Sequence, residues 1–378
     1  MRSRIPTVLV IDDQDEATAL KTNLALRGLA KVSHRYPQEV ELGDLLRSDL
    51  VLVDYELSNW PQRDEFSAVS LKPADGLALV GVLQRHVYGR KQPRPIAFAI
   101  YTGKIRNLAD PLPPEYREHA IAHINNLEWV FIKAKQNGVV SVSDQIVGLA
   151  SAVKALPSSW PKRESEQMQL LSTLLGVKPN DRFRERLLGE VATCLPPVHE
   201  LSEWSHGHAV VRWLLHRILP YPCFLWDTFR MAARFRLDHY ELREALSDDK
   251  PLRKKLRACE YKGILSSFLG PRWWRALVER LLWEETKGNS ADSAAVVALI
   301  GKYAKRKLTP ISTTDHPLVC IDENYRPTDR FYSIKEAVRI RPDDWPAYAD
   351  QAWTTIALAK GEPRLRALVI QEDREKLI

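Results

Sequence analysis

Long apolar runs are missing from this sequence. No stretch approaches the ~20 residues that a membrane-crossing helix needs, so no membrane partner is expected. The run Val8 to Ile11 meets Asp12 and Asp13 at once, far short of the ~7–15-residue core of a signal peptide. A cytoplasmic protein is the expectation. Cysteine is scarce: Cys194, Cys223, Cys259 and Cys320 are separated by 29, 36 and 61 residues. No pair has the spacing of a metal knuckle or a redox motif, which fits free, buried thiols in a reducing compartment. Internal repeats and low-complexity tracts are absent too.

What is there fits a soluble chain of two or three domains: 378 residues, 45% hydrophobic and 27% charged. The charge is uneven. Residues 1–155 carry 19 basic and 18 acidic side chains, whereas 250–280 alone hold nine basic against two acidic. Nine of the eleven tryptophans lie beyond residue 155.

The first 155 residues alternate between β-forming runs and helical spacing. Strands are predicted at Thr7–Ile11, Leu29–His34, Asp49–Val53, Pro95–Tyr101 and Glu128–Ile132. Helices are predicted at Asp15–Gly28, Pro37–Arg47, Ala74–Tyr88, Pro113–Asn126 and Val142–Ala155. Five β–α repeats with continuously apolar strands imply a parallel sheet covered on both faces. Residues 156–167 are polar with two prolines and read as a linker. From 168 to 378 the pattern is mainly helical, as at Val210–Leu219, Trp226–Arg236, Pro251–Phe268, Pro271–Thr286, Ser333–Arg339 and Ala347–Lys360. Strands are suggested there only at Leu318–Ile321 and Ala367–Ile370.

In an open parallel sheet, ligands bind beyond the carboxyl ends of the strands. Asp12 and Asp13 end the first strand, Asp54 the third, Tyr101-Thr102-Gly103 the fourth and Lys133 the fifth. Three carboxylates on one rim repel one another unless a divalent cation neutralises them, and Mg²⁺ suits an oxygen-only site. One carboxylate can then act as a nucleophile towards phosphorus, with Lys and Thr binding the transferred oxygens.

These segments carry a family resemblance. Val8-Leu-Val-Ile-Asp-Asp13, Asp49-Leu-Val-Leu-Val-Asp54, Asp75-Gly-Leu77, Ala99-Ile-Tyr-Thr-Gly103 and Val130-Phe-Ile-Lys133 resemble the receiver domain of two-component response regulators. The resemblance implies a flavodoxin-like five-stranded sheet in the order 2-1-3-4-5. It implies Asp54 as phospho-acceptor, with Asp12, Asp13, Asp54 and the Glu56 backbone carbonyl holding Mg²⁺. Thr102 would be the switch hydroxyl and Lys133 the phosphate-sensing lysine. The partner it implies is a histidine kinase or a phosphotransfer protein. Three features depart from the family: Ala134 follows Lys133 in place of proline, Val130 stands where an aromatic switch is common, and the stretch between Asp54 and Asp75 is about a dozen residues longer.

The rest of the chain, 168–378, matches no output family. Arg253, Lys254, Lys255 and Arg257 form one basic group and Arg272, Trp273, Trp274 and Arg275 a second. Arg beside Trp suits nucleic-acid backbone and stacking contacts, a protein interface, or an amphipathic helix with Trp in the core. His208 and His216 are eight residues apart, ~12 Å along a helix, and read as ordinary histidines. Three output classes therefore stand: partner binding or self-association such as a homodimer, DNA or RNA binding through 250–280, and an effector enzyme built on Cys259-Glu260 or Cys320 with Asp322 and Glu323.

Overall fold

A computed structural model describes residues 5–13, 28–61, 63–65, 72–73, 75–89, 95–103, 105, 108, 118–133, 140–201, 207–247, 250–311 and 316–378. Residues 15–27 of the predicted helix and the Ala134 position fall outside the described residues, as does most of 66–74.

Five strands, β1 (Thr7–Ile11), β2 (Lys31–Arg35), β3 (Leu50–Asp54), β4 (Ala97–Thr102) and β5 (Trp129–Ile132), form one parallel sheet in the order β2-β1-β3-β4-β5. Register pairs Val10 with Leu52, Val53 with Ile100 and Thr102 with Ile132. Every residue of β3 is buried, which is why a continuous apolar run, not an alternating one, marks the central strand. Leu9, Ile11, Val51, Val53, Phe98, Ile100 and Val130 share one core with Leu79 and Leu83 of the helix Gly76–Tyr88 and Ile121 of Glu118–Ile124. The helix Val142–Ala155 packs on β3, β4 and β5.

Helix Gly76–Tyr88 starts directly against the end of β3. Asp75 caps it by accepting from the Ala78 N–H at 2.9 Å. A Cβ on Gly76 would lie 2.0 Å from the Asp54 carbonyl oxygen, so only glycine permits this approach. Asp75-Gly76 therefore fixes a helix N-terminus beside Asp54.

The chain divides into two compact units, and the division follows no single cut point. The first comprises Met1–Asp181, Pro196–Pro220 and Lys262–Gly270, and the second Arg182–Leu195, Tyr221–Tyr261 and Pro271–Ile378. Residues 164–167 of the expected linker form the first turn of the helix Glu164–Leu174.

The second unit is mainly helical. Helices Thr228–Phe235, His239–Ala245, Pro251–Leu256, Arg275–Glu285 and Ser293–Ala304 enclose a core that includes Met231, Phe235, Leu252, Trp273 and Ile300. Several expected elements need correction here. The helix expected over Pro251–Phe268 stops at Leu256. The helices expected over Ser333–Arg339 and Ala347–Lys360 are instead an antiparallel pair, β8 (Ala337–Ile340) and β9 (Ala352–Thr355), with a short helix Ile356–Gly361 after it. Helix spacing misread a β-rich run, Ala352-Trp-Thr-Thr355, whose β-branched and aromatic residues favour a pleated surface. Leu318, Cys320 and Ile321 make only isolated bridges. A further short pair joins β6 (Leu225–Trp226) to β7 (Trp273–Trp274).

Candidate functional site

The carboxyl rim of the sheet gathers the acidic residues as the strand ends require. Asp12 and Asp13 follow β1, and Asp54 closes β3; all three are buried. Each offers a carboxylate oxygen, and these oxygens all lie within 4.8 Å of one another. Lys133, just past β5, reaches into the group. Its Nζ is 2.9 Å from Asp54 Oδ2 and 3.2 Å from Asp12 Oδ2, and it stands 5.2 Å from the Tyr101 ring centre. The Lys133 N–H donates to the Thr102 carbonyl at 2.8 Å, which ties β4 and β5 together at this rim. Thr102 is buried at the end of β4. Asp13 Oδ2 accepts from the Asn59 N–H at 2.7 Å, so the first residues of the long Asp54–Asp75 stretch fold back onto the acidic pair. Glu56 is exposed two residues beyond Asp54.

Burial pushes the Asp54 carboxyl up to about 6, against the opposing pull of the Lys133 ammonium. Burial would by itself depress Lys133, but its bonds to Asp54 and the charge of Asp12 more than offset this and hold the ammonium above its ordinary value. With all groups ionised, three negative charges face one positive charge. That residual charge and an all-oxygen donor set fit a hard divalent cation of the Mg²⁺ class. Asp12, Asp13 and Asp54 would hold it.

Val130 sits in the main core. Trp129 and Phe131, one position to either side, point the other way and meet the Phe268 ring edge-on at centroid distances of 4.9 and 6.3 Å. This is the pleat expected of a strand.

At the opposite end of β5 lies a polar centre that the sequence does not advertise. Glu128 is fully buried. Arg212 reaches it through Nε and Nη2 at 2.8 and 2.7 Å from Oε1. The Phe98 N–H donates to the other oxygen, and His208 Nδ1 lies 3.5 Å away. Burial alone would raise the Glu128 carboxyl, but Arg212, His208 and the Phe98 N–H together bring it down to about 2. Arg212 also donates to the Asn126 carbonyl at 2.9 Å, and His208 Nε2 accepts from the Ile96 N–H at 3.1 Å. His216 Nε2 donates to the Glu128 carbonyl at 2.8 Å. These three side chains come from one segment, the helix His208–Trp213 and the π-turn Leu214–Ile218. That segment packs on the helices Glu118–Ile124 and Val142–Ala155. Gly207 opens it at φ +91°, where a Cβ would strike the Trp160 ring at 2.8 Å. An acidic residue at the head of an apolar strand was the only local signal; its partner is 84 residues away.

Burial holds His216 down at about 4, with Arg212 and His123 adding to this and Glu128 opposing it. A histidine depressed in the folded state favours folding above its ordinary value of 6.5. That contribution is lost as pH falls from 6.5 towards 4, because the unfolded chain takes up the proton first. The interval is worth on the order of 3 kcal/mol. Urea midpoints should therefore fall steeply between pH 6.5 and 4, and His216→Gln should flatten this part of the profile. An unchanged slope in the variant would remove His216 as its source.

The basic stretch 250–280 is split by burial. Lys254, Lys255 and Arg257, on and just after Pro251–Leu256, are all exposed. Arg253 is paired with Glu260 and lies 5.8 Å from the Trp273 ring centre. The surface-contact reading of Arg272, Trp273 and Trp274 is corrected: all three are buried, since β7 pairs with β6 inside the unit. Arg275 pairs with Asp350 at 2.8 Å. Stacking of bases on these tryptophans is not available.

The expected enzyme residues are dispersed. Cys259 lies in the helical core, with its thiol pushed up by burial to about 11. Cys320 is fully buried, at about 12 for the same reason. Glu260 is committed to Arg253, and Asp322 accepts the Asn324 and Arg326 N–H groups at 2.9 and 2.8 Å. Among the described residues, no helix is long and apolar enough to cross a membrane.

No protein-family profile matches the chain, and no curated protein matches it. A solved structure described as two RcsB dimers bound to two parallel DNAs aligns with 56% of this chain and 99% of its own. The identity is 10% and the TM-score 0.23, a likeness too slight to bear on fold or function.

Proposed function

We propose that the rim of the parallel sheet is a phosphoryl-accepting switch of the response-regulator type. Asp54 is the acceptor, and the helical remainder of the chain is the element it controls. The observation that carries this reading is the convergence of Asp12, Asp13, Asp54 and Lys133 beyond the carboxyl ends of three strands.

Asp12, Asp13 and Asp54 would hold a divalent cation, which when bound would neutralise charge on the attacking carboxylate and the incoming phosphoryl oxygens. The protein's own groups do the rest. Asp54 Oδ attacks the phosphorus of a phosphohistidine on a kinase or phosphotransfer protein. The O–P bond forms as the P–N bond breaks, and the imidazole leaves with a proton from solvent. Lys133 Nζ, already 2.9 Å from the attacking carboxylate, moves to the phosphoryl oxygens. Thr102 supplies a hydroxyl on the same rim. Lys133 and Glu128 bracket β5, so a changed hold on Lys133 is felt by the strand whose other end is tied to Arg212. Phosphorylation then shifts the population between two arrangements of that edge. The output is partner binding or self-association, in the cytoplasm.

The test is intact mass after incubation with Mg²⁺ and a small acyl phosphate. One adduct of about 80 Da is expected on the native chain and on Asp64→Ala, and none on Asp54→Ala. An adduct that persists in Asp54→Ala, or none on the native chain with either an acyl phosphate or a phosphohistidine protein as donor, would overturn the reading.

A further inference from the structure

Two thiols of the second unit meet in a pocket that the phosphoryl switch does not use. Cys194 follows the helix Arg184–Thr193, and Cys223 lies 29 residues further on, just before β6. Both side chains are almost wholly buried. They hydrogen-bond to one another, and both line a pocket of about 350 Å³ together with Arg186, Glu190, Arg275 and Glu279. The hydrogen bond from Cys223 is the chief influence holding Cys194 below the ordinary thiol range, against burial and, less strongly, the charge of Glu190. Cys223, as the donor and a buried group, keeps its proton to higher pH. Neither Cys259 nor Cys320 lines this pocket.

The position of the pair in the chain is as telling as the contact. Leu195 ends one passage through the second unit and Tyr221 begins the next, while Pro196–Pro220 between them belongs to the first unit. Cys194 and Cys223 therefore stand at the two ends of the excursion that carries His208, Arg212 and His216.

We propose that Cys194 and Cys223 form a reversible disulfide site, closed by a peroxide, that covalently ties the two ends of the 196–220 excursion. The Cys194 thiolate attacks one peroxide oxygen. An S–O bond forms and the O–O bond breaks, and the leaving oxygen takes up a proton to become water. The Cys223 sulfur then attacks the Cys194 sulfur; the S–S bond forms, the S–O bond breaks, and the departing hydroxide takes the Cys223 proton as a second water. Two thiols lose two hydrogens and two electrons, and the peroxide is reduced. The pocket admits a molecule of that size, and its wall carries Arg186 and Arg275 together with Glu190 and Glu279.

The full-length chain is treated with a small excess of hydrogen peroxide, then catalase, and analysed by intact mass and by an unreduced peptide map. The expected result is a loss of about 2 Da, reversed by a dithiol reductant, with Cys194 and Cys223 in one linked peptide. Cys194→Ser and Cys223→Ser should each abolish the loss, and Cys259→Ser should retain it. Retention of all four free thiols, gains of about 16 Da in place of the loss, or a linked peptide joining any other pair would overturn the proposal. The map of the native chain identifies the pair directly, so the test decides the matter even if a serine variant does not fold.

Discussion

Arg212→Met is expected to destabilise the protein by about 3–5 kcal/mol, lowering the melting temperature by roughly 10 °C. The variant keeps most of the apolar stem but leaves Glu128 fully buried without its guanidinium. The remaining partners, the Phe98 N–H and His208, do not replace a cation that donates twice to Oε1. Glu128 would escape part of the cost by taking up a proton. The sign follows: in the native protein Glu128 is held down at about 2, so its contribution persists at neutral pH and is lost as pH falls from 4.5 towards 2. In Arg212→Met that contribution is gone, so the gap between variant and native protein should narrow in acid. Glu128→Gln in the Arg212→Met background should recover much of the loss, because two neutral groups no longer strand a charge. Urea unfolding of the four proteins in the cycle measures this. A loss below about 1 kcal/mol for Arg212→Met would show that the 208–218 segment is an accessory to the sheet and not part of its fold.

On the proposed role of Asp54 as phosphoryl acceptor, Lys133→Met is expected to slow phosphoryl uptake by about 10²–10³-fold. The ammonium holds Asp12 and Asp54 at 3.2 and 2.9 Å and so bridges two of the three clustered carboxylates. Without it, the charge that accumulates on the transferred oxygens loses a positive group already in place on the rim. Lys133→Arg keeps the charge but exchanges a compact ammonium for a planar fork, and should recover only part of the rate. The rate of mass-adduct formation at saturating Mg²⁺ is the measurement, with circular dichroism to establish that each variant is folded. Uptake within about threefold of the native rate would exclude Lys133 from the phosphoryl-binding role.

The sheet and its rim were legible because they rest on local rules. A central strand buried on both faces must read as an unbroken apolar run, and β3 does. Asp12, Asp13, Asp54 and Thr102 end or follow such runs, so strand assignment alone brings them to one edge. The Glu128 centre was hidden, since its cost and its compensation are far apart in the chain. Trp273 and Trp274 were ambiguous for a related reason: beside Arg272 and Arg275 they fit a binding surface or a core, and a two-residue β pair with Leu225–Trp226 takes them into the core. The β8–β9 pair is hidden because strands of four residues are too short to establish a period against helix spacing, even where, as in Ala352-Trp-Thr-Thr355, the residues favour a strand.

The discontinuous make-up of the first unit bears on how this chain is born. A contiguous α/β domain can collapse once its last helix leaves the ribosome. Here Ala155 ends the last sheet-covering helix, but Arg212 and His216 come much later in the chain, and Phe268, which covers Trp129, later still. Between those points the nascent sheet has a stranded carboxylate and an uncovered aromatic edge. Its closure awaits long-range contacts, the slow and aggregation-exposed kind. Synthesis speed between residues 155 and 270 then bears on how long that edge stays open.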